Sequence, residues 1–269
     1  MEIITSSQNA KIKQARALRQ RKHRQASGSF LVEGIRHVGE AVEAGAAIEA
    51  VFYAPDLLQS EFGLGLVEEL SSQGMPVYAV TPQAFDSLSE KENPTGLLAI
   101  VRMQRVRLDE LNPVNFPWGV AAISPQDPGN VGAILRTIDA AGSSGLLLLE
   151  NSVDPYHPSA VRASMGALFW HPVVSASFED FSRWKKIHGY HVYGTSAHGS
   201  RDYREIEFYE RPAILLLGSE REGLTSQQAE VCQEIVRLPM HGRVTSLNLA
   251  VAAGILLYAM IENRSVSLF

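Results

Sequence analysis

The stretch Asp127–Gly142, DPGNVGAILRTIDAAG, follows directly on the apolar run Trp118–Ile123. An apolar run that ends in Pro and Gly and then shows apolar residues at helical spacing reads as a strand turning into a helix. Asn130 and Arg136 stand six residues apart across the opening of that helix, nearly two turns on and broadly on one side. Two further islands follow in order, LLLGSEREGL (Leu215–Leu224) and RLPMHGRVTSLNLAVAAG (Arg237–Gly254). Each is a strand running into a loop of glycine and small polar residues. In an α/β domain three such loops can line one pocket.

Working outward, short apolar runs at 119–123, 146–149, 173–175, 191–193, 214–217 and 235–238 alternate with helical or loop segments. That alternation predicts a mainly parallel sheet covered on both faces. Ligands of such sheets bind beyond the carboxyl ends of the strands, where Asn130, Gly218 and Met240 fall. Towards the N-terminus, residues 9–25 read as one helix stopped by Ser27-Gly28, and residues 37–44 and 61–72 as two more. Strand-like runs at 50–53, 77–80 and 97–101 complete a smaller α/β unit. The expected division is residues 1–105, a linker at 106–116 containing an Asn-Pro step, and a larger domain at 117–269.

Composition narrows the classes. The chain of 269 residues has a single cysteine, Cys232, which rules out an internal disulfide framework and fits a reducing, cytoplasmic address. The longest apolar stretch, 249–261, is too short to cross a bilayer, and no membrane association is expected. The net charge of −5 hides an asymmetry. Lys11, Lys13, Arg16, Arg19, Arg21, Lys22, Arg24 and Arg36 face only Glu2 and Glu33 within residues 1–36. This basic arm reads either as a phosphate-contacting element or as a solvated amphipathic helix.

Taken singly, the islands have ordinary readings. G-N-V-G lacks the spacing of a dinucleotide loop, and Arg136 alone is a surface charge. Glu220 caps a helix, and Ser246 is an N-cap for the helix that follows. That final helix is apolar nearly all round, with Ala250, Ala252, Ala253 and Gly254 allowing close approach of another helix. Its burial, at a subunit interface among other places, is expected. The eight histidines and Cys232 lack metal-ligand spacing, so no metal is expected. No G-x-S-x-G elbow or P-loop is present.

Together, N130-VGAIL-R136, L217-GSEREG-L224 and L238-PM-x-G…S246-L-N248 resemble the three ordered motifs of the SpoU/TrmH family, RNA ribose 2′-O-methyltransferases of the SPOUT superfamily. The segment 154–169 is similar to the family pattern too, and the likeness spans roughly 117–260. The first 105 residues, including Phe30–Gly34, resemble the family's appended RNA-substrate-binding domain, related to a ribosomal-protein RNA-binding fold. The resemblance implies an α/β SPOUT domain with a parallel sheet and a deep trefoil knot. It also implies S-adenosylmethionine as methyl donor and a homodimer formed through the knot region and C-terminal helix. It places cofactor contacts on Gly218, Leu238 and Leu247, with Leu217, Met240 and Thr195 close by. Asn130, Arg136, Glu220, Ser246 and Asn248 match the polar active-site positions, with Asn130 and Glu220 expected to hold Arg136. Lys11, Lys13, Arg16, Arg19, Arg21, Lys22 and Arg24 are the expected RNA contacts of the arm. The implied activity is methylation of a ribose 2′-hydroxyl, in ribosomal RNA first. Transfer RNA methylation, or a catalytically silent RNA-binding or ribosome-assembly role, are the alternatives. Motif two departs from the family in carrying Arg221 and Glu222 where smaller residues are common.

Overall fold

In the computed structural model, which describes residues 3–262, the chain divides into two compact units. The first comprises Met1–Met103 with Tyr156–Phe169, the second Gln104–Pro155 with Trp170–Phe269. The first unit contains α1 (Ala10–Ala17), α2 (Arg21–Ser27), β1 (Ser29–Glu33), α3 (Ile35–Glu43) and β2 (Ile48–Tyr53). It continues with α4 (Glu61–Ser72), β3 (Val77–Ala79), α5 (Pro82–Asp86) and β4 (Leu97–Arg102). Its sheet has the order β1-β4-β2-β3, with β2 and β3 parallel and the other pairs antiparallel.

The expected single helix over 9–25 is two helices. Gln20 adopts an extended backbone between them, and Arg24 explains why the chain folds there. The residue is 1 % exposed, and its guanidinium donates to the carbonyls of Leu18 (2.8 Å) and Arg19 (2.6 Å), satisfying the end of α1. Arg19 in turn donates to the Ser89 carbonyl. Arg24 and Arg19 are therefore corrections to the list of RNA contacts: one is buried and the other is tied down inside its own unit. Lys11, over the Tyr78 ring at 5.7 Å, and Lys13, Arg21 and Lys22 are exposed, and Arg16 is half-buried.

The segment Tyr156–Phe169, with α7 (Pro158–Ser164), belongs to the first unit although it lies between two strands of the second. Phe30 sits against the rings of Tyr156 (4.7 Å) and Phe169 (6.2 Å), and Arg162 pairs with Glu90 at 3.6 Å.

In the second unit all six strand runs form, with one addition. They are β5 (Trp118–Ile123), β6 (Leu146–Leu149), β7 (Val173–Ala176), β8 (His191–Thr195), the short β9 (Arg201–Asp202), β10 (Ala213–Leu217) and β11 (Glu234–Arg237). The order is β7-β6-β5-β10-β8-β11-β9, and every pair is parallel. Because both faces are covered, β5 and β10 are buried at every position rather than alternating. One face carries the aromatic side of α9 (Phe178–His188), where Phe181 and Trp184 pack with Ile123, Leu149 and Leu216. On α6 (Pro128–Ala141), Val131, Ile134, Leu135 and Ile138 are fully buried. Each contributes about 1.5–3 kcal/mol gross, before the entropy of ordering the helix is set against it. α6 begins with Asp127 accepting from the Gly129 N–H at 2.7 Å and Pro128 in the first turn, and ends at a left-handed Gly142.

The chain starts the sheet at its middle with β5, builds outward to β7, then crosses over to β8 on the other side, and β10 later fills the gap between β5 and β8. Strand order reverses there, so the carboxyl ends of β5 and β10 diverge into a crevice. Both α6 and the loop after β10 begin at that crevice.

Candidate functional site

The loop after β10 is shaped by a double-back. Ser219 and Gly223 exchange two backbone hydrogen bonds of 3.0 Å, and Gly223 takes a left-handed φ of 69° to close the turn. The returning chain lies directly on Gly218, where an added Cβ would sit 2.5 Å from the Gly223 carbonyl carbon and 2.7 Å from the Leu224 nitrogen. Both are backbone atoms that cannot swing away, so only glycine fits. Two neighbouring loops open beside it. The chain leaving β8 turns after Thr195, with the Ser196 N–H donating to the Val236 carbonyl at 3.0 Å. The chain leaving β11 runs through 238–248 into α11 (Leu249–Glu262).

The loops after β10 and β11 meet α6 through one side chain. Asn130, in the first turn of α6 and 9 % exposed, donates from Nδ2 to Glu220 Oε1 and accepts at Oδ1 from Asn248 Nδ2 at 2.9 Å. Asn248 Oδ1 accepts from the N–H groups of Ala250 (2.9 Å) and Val251 (3.3 Å). The N-cap of α11 is therefore Asn248, not Ser246 as the sequence suggested. The cap fixes polarity along the whole chain of bonds. With its oxygen held by the helix, Asn248 presents only its NH2 to Asn130, which must then point its own NH2 at Glu220. Glu220 acts as the terminal acceptor of the chain of bonds.

Beside this relay lies a cavity of about 600 Å³, within the ~300–1,000 Å³ typical of small-molecule sites. Thr195, Gly218, Leu238, Met240, Leu247 and Ser246 line it, with Glu220 and Asn248 at its polar end. The donor set suits a nucleoside-like group: apolar side chains for a flat ring, and backbone of Gly218 unobstructed by a Cβ. Among the described residues no group of three or more His, Cys, Asp or Glu is placed to hold a metal ion. Burial pushes the Cys232 thiol up to about 11, so at neutral pH it is a protonated filler and not a nucleophile.

Five of the six expected cofactor residues are on the wall. Leu217 is not: its side chain is fully buried in the sheet one position before the loop opens. Of the five polar positions, Asn130, Glu220 and Asn248 form the relay and Ser246 lines the cavity. Arg136 stands apart. Its side chain is exposed, it lies roughly 9 Å further along α6 from Asn130, and it does not line the cavity. Nor do Asn130 and Glu220 hold it, since they hold each other. Six residues fall about 120° short of two full turns, which leaves Asn130 on the buried side and Arg136 on the open one. Sequence reasoning missed Ser196, Ala197, His198 and Thr245 on the wall. The first three follow the carboxyl end of β8, so the strand-end rule already pointed at them.

Residues 118–258 match the SpoU rRNA Methylase family, and residues 9–99 match an MRM3-like substrate binding domain. Over 268 residues the chain is 33% identical to the 23S rRNA (uridine(2479)-2′-O)-methyltransferase of Streptomyces viridochromogenes, covering 96% of this chain and 92% of the relative. It is 31% identical to the 23S rRNA (guanosine(2553)-2′-O)-methyltransferase RlmP of Bacillus subtilis, with coverage of 96% and 98%. Among solved structures, an AdoMet-bound rRNA methyltransferase from Sinorhizobium meliloti superposes with a TM-score of 0.87 at 35% identity, over 96% of this chain and 97% of that one.

Proposed function

The chain belongs to the SpoU rRNA methylase family, and from that premise we propose that it methylates a ribose 2′-hydroxyl of ribosomal RNA at the cavity between β8, β10 and α11, with S-adenosylmethionine as donor. The observation that carries the reading is the relay Asn248–Asn130–Glu220, which ties the three motif loops together at the polar end of a nucleoside-sized cavity. The first unit's match to a substrate-binding domain, and coverage of nearly the whole chain by two relatives named for 23S rRNA, favour ribosomal over transfer RNA. Those two relatives are named for uridine and guanosine, so the reading assigns a ribose and no base.

When bound, S-adenosylmethionine supplies a methyl group on a sulfonium, which needs no covalent enzyme intermediate. Thr195, Gly218, Leu238, Met240 and Leu247 would hold it, leaving the chain to orient the hydroxyl and manage its proton. Glu220, anchored by Asn130, sets a fixed negative charge at that end of the cavity. A guanidinium carries donors and no acceptor, so Arg136 is not the group that takes the proton. In this reading its guanidinium binds an RNA phosphate beside the target ribose and stabilises the emerging alkoxide. That phosphate, or a water, takes the proton.

Two finer features belong to the proposal. One is that β11 threads a loop of the chain to form a trefoil knot. Thr195 of β8 and Arg201 of β9 both pair with Val236, from opposite sides, so residues 196–200 must cross β11. Gly199 lies there with the Val236 backbone 2.8 Å from where its Cβ would be. The other is a homodimer through α11, whose Val251, Ile255 and Tyr258 face outward.

Gly218→Ala tests the cavity. A Cβ against the backbone of 223–224 should push the loop outward and weaken S-adenosylmethionine binding at least tenfold by calorimetry. Wild-type protein that binds no S-adenosylmethionine, or a variant that binds it equally well, would remove the cavity from the account.

A further inference from the structure

Among the described residues, the arginines of the larger unit that follow β5 sort into two groups. Arg183 pairs with Glu179 (2.9 Å) and Asp180 (3.2 Å), Arg201 with Glu234 (2.8 Å), and Arg204 with Asp202 (2.7 Å). Arg211 lies over the Trp118 ring at 4.2 Å, and Arg237 reaches the Gly199 carbonyl at 3.5 Å. Arg136, Arg221 and Arg243 are different: all three are exposed, and none has a hydrogen-bond, ion-pair or ring partner among the described residues. Arg136 belongs to the first motif, Arg221 to the second and Arg243 to the third. In a chain with an excess of carboxylates this is not a shortage of partners.

We propose that Arg221 and Arg243 form a phosphate-binding rim on the catalytic loops, gripping the RNA backbone that flanks the target ribose; this rests on the reading of the cavity as an RNA methylation site. Arg221 lines the cavity itself, on the outer arm of the Ser219–Gly223 turn. Arg243 lies two residues before Thr245, which also lines it. The segment carrying Arg243 is exposed from His241 through Asn248, and no Asp or Glu occurs between Glu234 and Glu262. The third loop thus presents a cation with no competing carboxylate of its own. On the second loop, Glu220 is engaged by Asn130, and Glu222 is held at its backbone N–H by Ser219 Oγ (3.1 Å) with its carboxylate exposed. A guanidinium offers a planar fork matched to a phosphate's two oxygens, the geometry a phosphodiester needs and a solvated lysine lacks. Arg136 supplies the phosphate beside the ribose in the functional proposal. Arg221 and Arg243 extend that contact to neighbouring nucleotides and give the larger domain its own hold on RNA.

The test uses full-length Arg221→Gln, Arg243→Gln and the double variant, with Arg183→Gln as the control of a paired surface arginine. Binding to an unmodified 23S rRNA transcript is measured across a salt series, alongside labelled-methyl transfer and S-adenosylmethionine calorimetry. Each substitution at the rim should lower the slope of log affinity on log salt by about 0.7, the value for a single-strand phosphate contact. KM for RNA should rise several-fold in each single variant, and in Arg243→Gln, whose residue is not on the cavity wall, kcat and S-adenosylmethionine affinity should stay at the wild-type values. Arg221→Lys should keep the slope but lose affinity. Slopes equal to wild type in both single variants would overturn the rim. Loss of S-adenosylmethionine affinity in Arg221→Gln with an unchanged RNA slope would overturn it by assigning Arg221 to the cofactor. A wild-type protein that transfers no methyl to any ribosomal RNA would fail one step earlier, taking the functional reading and the rim with it.

Discussion

Asn130 commits both halves of its amide, one to Glu220 and one to Asn248, and each bond has only one possible direction. That makes Asn248→Asp an informative change. Aspartate caps a helix as well as asparagine does, so the start of α11 should survive and the melting temperature should move by only a few degrees. It has no proton to give Asn130 Oδ1, however, and it faces Glu220 with a like charge. A lost hydrogen bond to a charged network costs about 1.5–3 kcal/mol, so single-turnover methylation should fall roughly 10- to 100-fold. A normal rate in a stable variant would reduce Asn248 to a cap. The residue types of this relay were legible in the sequence, because three amide or carboxylate side chains stand just past strand ends. Their partners were not. Helical spacing put Arg136 near Asn130 in the sequence reading, whereas the burial of one side of α6 separates them. Arg24 teaches the same lesson, since an arginine in a basic run gives no local sign that it will be buried as a cap for the preceding helix.

At the scale of elements, α11 was legible as buried and illegible in how. Its small residues do allow close approach, and the helix they admit is α6 of the same chain: Thr137 Cγ2 lies 3.8 Å from where a Gly254 Cβ would be. Ala253, Leu256, Leu257 and Met260 are covered within the chain. Val251, Ile255 and Tyr258, at 51%, 37% and 48% exposure, form a stripe on the open side of the helix. An apolar stripe of this kind rimmed by polar surface marks an interaction face. The proposed homodimer should therefore be the species seen by sedimentation, and Ile255→Asp should shift it to monomer with the fold intact by circular dichroism. A monomeric wild type, or a dimer indifferent to the aspartate, would assign the stripe elsewhere. The strands show the same division of legibility. Six apolar runs announced themselves, while the two-residue β9 has no pattern to read and exists only because β11 offers it an edge.

For the whole molecule, the order of motifs along the chain carried most of the functional reading, and the sheet explains why order matters. β5 lies in the centre, β10 is inserted beside it, and β11 enters between β8 and β9. Each motif loop therefore leaves a different strand at the same end of one parallel sheet. Parallel pairing was readable from strands buried on both faces. Strand order, and the excursion of Tyr156–Phe169 into the first unit, depend on pairings far apart in sequence, such as Phe30 with Tyr156 and Phe169. No local periodicity records them. The central claim is that these loops methylate a ribose of ribosomal RNA. The most direct measurement is a transcriptome-wide map of 2′-O-methyl sites in ribosomal and transfer RNA from cells with and without the protein. The account predicts loss of methylation at a ribose of ribosomal RNA, restored by the wild-type gene and not by Asn130→Ala. A ribosomal map unchanged by the deletion, or a loss confined to transfer RNA, would contradict it.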